Sequence, residues 1–143
     1  MRRWKEVALG RKQGGAGVER AIARAEAVLP GRPAAEGEVD GRWQAIIRVG
    51  EFIESEPEAV WAFVVRWGKH AQADLRMAVA TCLLEHLLDA HFEMMLPRVR
   101  KTAMESVRFA EMLEACWPFG RAETLRNWQR VERVKREARR RHK

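Results

Sequence analysis

The stretch "DLRMAVATCLLEHLLDAHF", Asp74 to Phe92, decides how the rest of the chain is read. Its apolar residues Leu75, Val79, Leu83 and Leu87 recur at helical intervals, and the acid that opens it, Asp74, is a residue type that caps a helix by accepting an orphan amide. A buried stripe of that length needs partners on both sides. The segment also carries Cys82, Glu85, His86, Asp89 and His91, residue types that can ligate metal or move protons.

Upstream the same rhythm returns. Trp43, Ile46, Ile47, Gly50 and Ile53 form a stripe behind a capping Asp40, and Val60, Phe63, Val64 and Trp67 form another. The "SEPE" of Ser55 to Glu58 has the pattern of a capping box, with Pro57 in the tolerated first turn. Gly68 and the polar residues after it close that helix. Downstream, Pro97 predicts a break or kink, after which Phe109, Leu113 and Cys116 align and "WPFG" ends the helix. The last segment, Ala122 to Arg141, keeps a narrow line of Leu125, Trp128, Val131, Val134 and Ala138 in a charged background. Before Asp40, Gly and Pro cluster in "QGGAG" and "LPGRPAAEGE", leaving one short helix from Val18 to Val28 and a weaker one near Arg2 to Leu9. No window alternates like a strand, so the expected fold class is all-α.

The chain has 143 residues, 47% of them apolar, enough for one core. It has no uninterrupted apolar run long enough to span a bilayer, and Lys5, Glu6, Arg11 and Lys12 interrupt anything like a signal peptide near its start. Cys82 and Cys116 read as reduced, buried small hydrophobes. A cytoplasmic protein is the expectation.

Charge divides the chain into three. Residues 1–32 carry eight Lys or Arg against three acids, residues 33–120 nine against fourteen, and residues 121–143 ten against three. The expected organisation is a basic helical extension and linker over 1–37, a helical domain over 38–120, and a basic terminal helix or tail over 121–143. Arg133, Lys135, Arg136, Arg139, Arg140, Arg141 and Lys143 could neutralise several phosphates without choosing bases, so nucleic acid is a possible partner there. On the body, Trp61 falls off the apolar stripe and, with Arg66 and Lys69, is the expected contact surface.

A repeat emerges when segments are superposed. "DGRWQAIIRVGEFI" and "DLRMAVATCLLEHLL" share Asp-x-Arg before an apolar stripe, offset by 34 residues. Asp40, Arg42 and Ala45, then Asp74, Arg76 and Val79, carry a resemblance to HEAT-like helical repeats over about residues 38 to 118. That resemblance implies an α-solenoid of antiparallel hairpins in which the arginine binds the caps of adjacent units. The offset also resembles tetratricopeptide repeats, with Trp43, Ile46, Ala59 and Phe63 at matching spacings, although Met77 replaces the second expected Trp. "AVWAFVVRWGKHAQADLR" is similar in rhythm to helical-repeat alkylpurine DNA glycosylases, which implies DNA repair with Asp74 as a cation stabiliser.

The chemistry-bearing residues spell no catalytic motif. Cys82, His86 and His91, with Glu85 or Asp89, fit no zinc-ligand spacing, and Glu85 with Asp89 reads as a solvated helix face. The expectation is a non-enzymatic interaction module with a protein partner and basic ends, needing no cofactor or metal. DNA binding or repair is the alternative.

Overall fold

The computed structural model describes residues 16–143, and every regular element among them is helical. Residues 16–28 form α1; the helix expected near Arg2 to Leu9 lies outside the described residues. There follow α2 (Gly41–Gly50), α3 (Pro57–Trp67), α4 (Ala73–Val79), a π-helical turn (Ala80–Leu84), α5 (Glu85–Ala90), α6 (Phe92–Glu105), α7 (Val107–Glu114), a 3₁₀ turn (Gly120–Glu123) and α8 (Leu125–Arg141).

Asp40 caps α2 as expected, its carboxylate accepting the Arg42 amide at 2.9 Å. The other predicted starts differ. Glu56, not Ser55, precedes α3, and no side-chain cap bond forms; Glu58 instead accepts both terminal nitrogens of Arg98. Asp74 sits inside the first turn of α4 rather than before it and caps nothing. Its carboxylate is already engaged by Arg42 from α2.

α4, the π turn and α5 continue one another with helical backbone throughout. The reason is in the stripe. Leu75, Val79, Leu83 and Leu87 are spaced by four, and on a 3.6-residue helix each such step drifts by roughly 40°. The wider i to i+5 turn at Ala80–Leu84 counters this drift, and all four side chains end fully buried. Gly50 of α2 faces that turn, where an added Cβ would come 3.3 Å from the Leu83 side chain.

Pro97 does not break the chain. α6 runs through it from Phe92 to Glu105, and the bends fall at His91 and at Ser106, whose hydroxyl caps α7 by accepting the Phe109 amide. α2, α3 and α7 pack on the α4 and π segment, α6 and the 3₁₀ turn pack on α5, and α8 packs on α6 and α7. One core cluster takes in Val18, Ala25 and Leu29 of the N-terminal segment, the body helices, and Val131, Val134 and Ala138 of α8. The cluster thus joins residues from all three segments that differ in charge. No helix among the described residues is long and apolar enough to cross a membrane.

Two rows of ion pairs follow the order of the helices. In the first, Arg42 of α2 reaches Asp74 of α4 at 2.6 Å, and Arg76 of α4 reaches Glu111 of α7 at 3.1 Å. In the second, Glu26 of α1 meets Arg66 of α3 at 2.6 Å, Glu58 of α3 meets Arg98 of α6 at 2.7 Å, and Glu93 of α6 meets Arg130 of α8 at 2.7 Å.

Candidate polyanion interface on the terminal helix

The Asp-x-Arg residues belong to the frame. The Arg42 side chain is 4% exposed and its guanidinium spans three partners, Asp40, Gln72 and Asp74. Its hydrogen bond to Asp40 is the main reason that the Asp40 carboxyl lies below the ordinary aspartate range. Arg76 donates to the carbonyls of His70 and Ala71 and pairs with Glu111.

Residues with catalytic or metal-binding chemistry are dispersed. Burial raises the pKa of the Cys82 thiol, and it raises that of fully enclosed Cys116 much further, so neither supplies a thiolate near neutral pH. His91 Nε2 lies 3.0 Å from the Ile53 carbonyl, whereas His86 packs against Phe119. Glu85 and Asp89 are not a free carboxylate pair. Glu85 accepts the Trp117 amide at 2.6 Å and Asp89 the Arg121 amide at 2.7 Å, strapping the loop before α8 onto α5. Gly120 permits this with φ +55, and a side chain there would overlap the Asp89 carboxylate. Among the described residues, no group of three or more His, Cys, Asp or Glu is placed to hold a metal.

The surface expected around Trp61 is reduced. The Trp61 ring is half-buried, packed on the core and edge-on to Phe109 at 5.9 Å, because α7 covers a side that periodicity within α3 cannot reveal. Arg66 is exposed but paired with Glu26, and Lys69 is half-buried.

α8 separates its cations by face. Thr124 caps it, accepting the Asn127 amide at 3.3 Å, and Val131, Val134 and Ala138 face the core. Lys135, expected among the phosphate-binding residues, is turned inward. Its ammonium donates to the Cys116 carbonyl at 3.2 Å and sits 4.8 Å from the Trp128 ring centroid. Arg139, expected to be free, pairs with Glu114, and Arg130 pairs with Glu93. These carboxylates hold both guanidiniums above their ordinary pKa.

What remains outward is one line. Arg126, Arg133, Arg136 and Arg140 recur at i, i+7, i+10 and i+14, are all exposed, and form no ion pair with any described residue. At 1.5 Å per residue the line is about 21 Å long. Beside it, α6 and the end of α8 enclose an open groove lined by Arg100, Lys101, Met104, Glu105, Arg141 and His142. Arg100 is paired with Glu137 at 2.7 Å, while Lys101 and Arg141 are exposed without an ion pair among the described residues. His142 Nε2 lies 2.7 Å from the Ala103 carbonyl, joining the end of α8 to α6, and Lys143 is exposed beyond it. Arg126 and Lys101 are not among the cations expected at this face. The seven-residue spacing of Arg126, Arg133 and Arg140 was available to find the first, whereas Lys101 joins only through the packing of α6 on α8.

Fold and surface together define an all-helical protein stitched by ion pairs between helices, with one helix face left cationic. The chain belongs to DUF6869, a family of unknown function, which matches residues 32–139. No curated protein and no solved structure matches the chain.

Proposed function

We propose that the chain is a non-enzymatic interaction module, a short HEAT-like solenoid that presents the outer face of α8 to an acidic partner. The units are α2 with α3, which meet through the α4 and π segment on which both pack, then the α4–α5 rod with α6, and α7 with α8. Support for a repeat comes from the arginine pairs, since Arg42 reaches 32 residues ahead to Asp74 and Arg76 reaches 35 ahead to Glu111. Each unit thereby binds the next, as stacked repeats require.

The observation that carries the functional reading is the separation of charge on α8. Three neighbouring cations, Arg130, Lys135 and Arg139, are engaged internally, while Arg126, Arg133, Arg136 and Arg140 share one outward face and form no ion pair among the described residues. Clustered cations without partners raise the local concentration of anions and speed their capture. The DNA-repair alternative has less support, because its candidate cation stabiliser, Asp74, is occupied by Arg42.

Retention on an immobilised polyanion tests the reading. The variant Arg133→Gln/Arg136→Gln/Arg140→Gln is expected to elute at clearly lower salt than the parent, and Arg20→Gln/Arg24→Gln/Arg32→Gln, which removes equal charge elsewhere, to shift much less. Equal shifts would reduce the effect to net charge and remove α8 as a binding face. A protein partner has one supporting observation of its own: Trp117 is 74% exposed and Phe119 41% on the same strapped loop. Trp117→Ala should then weaken capture of that partner and leave polyanion retention unchanged.

A further inference from the structure

We infer that the partner of this face is the phosphate backbone of a nucleic acid duplex, bound without sequence preference by the α8 line together with the groove on its α6 flank. This rests on the interaction-module reading and names its ligand.

Four observations select that ligand. The free cations of α8 are all arginine, whose planar fork matches phosphate oxygens bidentately. They extend over about 21 Å, a length along which duplex DNA presents about six phosphates per strand. Lys101 and Arg141 broaden the line across the groove, so that the surface is a band two helices wide rather than a single ridge. A band suits a backbone crossing both helices.

The apolar face of α8 is the third observation, since Val131, Val134 and Ala138 are consumed by the core. A helix lying on a membrane needs that face free to enter the lipid. A protein interface needs an apolar centre, and among the described residues Met104 is the only apolar side chain lining the groove. Fourth, the surface carries little that could read bases or stack on them. Gln129 is the single amide on the exposed line, and the aromatic of α8, Trp128, is half-buried beneath Lys135. Single strands are held by exposed aromatic platforms, and base edges by amides and arginines entering a groove. A line of arginines on a helix face without an exposed aromatic platform suits a duplex backbone.

The test is fluorescence anisotropy with the full chain against a labelled 20-bp DNA duplex, a single strand of equal length and poly-glutamate, over a salt series. With about five phosphates engaged, duplex affinity should fall about 500-fold between 50 and 200 mM salt. The Arg133→Gln/Arg136→Gln/Arg140→Gln variant should reduce that fall to about tenfold. Lys101→Gln/Arg141→Gln, at two exposed residues, should flatten the log–log salt slope by about two. Circular dichroism melts establish that each variant is folded.

An unchanged slope in the Lys101/Arg141 variant would overturn the two-helix band. Tighter binding of the single strand than of the duplex would overturn the duplex. Binding of poly-glutamate equal to or above that of DNA would overturn the nucleic-acid inference while leaving the interaction module standing. Failure to bind any of the three would remove both.

Discussion

The junction between α2 and α4 and the outer face of α8 are both made with arginine, and they use it in opposite ways. At the junction the Arg42 side chain is enclosed and four of the five guanidinium N–H groups meet an acceptor. On α8, Arg133, Arg136 and Arg140 project into solvent and form no ion pair with a described acid, the nearby Glu137 being paired with Arg100. The difference teaches that, in a chain with 33% charged residues, neighbours rather than composition decide function. An arginine within reach of a carboxylate on another helix becomes structure. One that points away from every other helix stays available to a ligand.

Substitutions can break the comparison from either side. The largest effect is expected at the junction. Arg42→Ala should lower unfolding free energy by about 3 kcal/mol in urea titration, since it strands Asp40 and Asp74 together and empties an enclosed site. A loss near that expected for a surface residue would mean that the junction is no different from α8.

The same pair predicts an acid dependence. The pKa of Asp40 is lowered in the folded chain, so its contribution is present above the ordinary aspartate value of about 3.9 and lost as pH falls through the lower folded value. Melting temperature should therefore drop across that acid range. In Arg42→Ala the drop should be shallower, because the variant has already lost the partner that lowers the Asp40 pKa.

Lys135 and Arg136 reproduce the contrast between adjacent residues. Lys135→Ala leaves the Cys116 carbonyl without its donor and uncovers Trp128, for an expected loss of about 2 kcal/mol. Gly120→Ala should cost about 1–2 kcal/mol, since it puts a Cβ at positive φ against Asp89. Restoration by the additional change Asp89→Ala would show that the clash, rather than the backbone angle, dominates. Arg136→Gln should change stability by less than about 0.5 kcal/mol, while its duplex affinity becomes less sensitive to salt. Loss of stability there would transfer Arg136 to the frame and weaken the interface.

Much of the fold was legible in the chain. The stripes Val60, Phe63, Val64 and Trp67, then Leu75, Val79, Leu83 and Leu87, end buried as their spacing requires, because a helix periodicity of 3.6 is intrinsic to the backbone. The edges of stripes were read less well. Ile47 is 47% exposed and Leu125 76%, because an apolar residue at the margin of a stripe is covered only if a neighbouring helix happens to reach it. Pro97 lies inside a helix for a related reason, since a helix packed on α5, α7 and α8 can absorb one missing amide.

The sequence by itself determined that the described chain would be helical and that cations would gather towards the C-terminus. Both follow from properties a residue carries wherever it is placed: its intrinsic periodicity, its capping ability and its charge. Tertiary structure alone decided that Lys135 is buried while Arg136 is free, that Glu85 and Asp89 strap a loop, and that Lys101 of α6 joins the face of α8. Each of these depends on a partner 19 to 40 residues distant in the chain, brought near only when apolar stripes pack, and no local pattern encodes which acceptor lies across the interface.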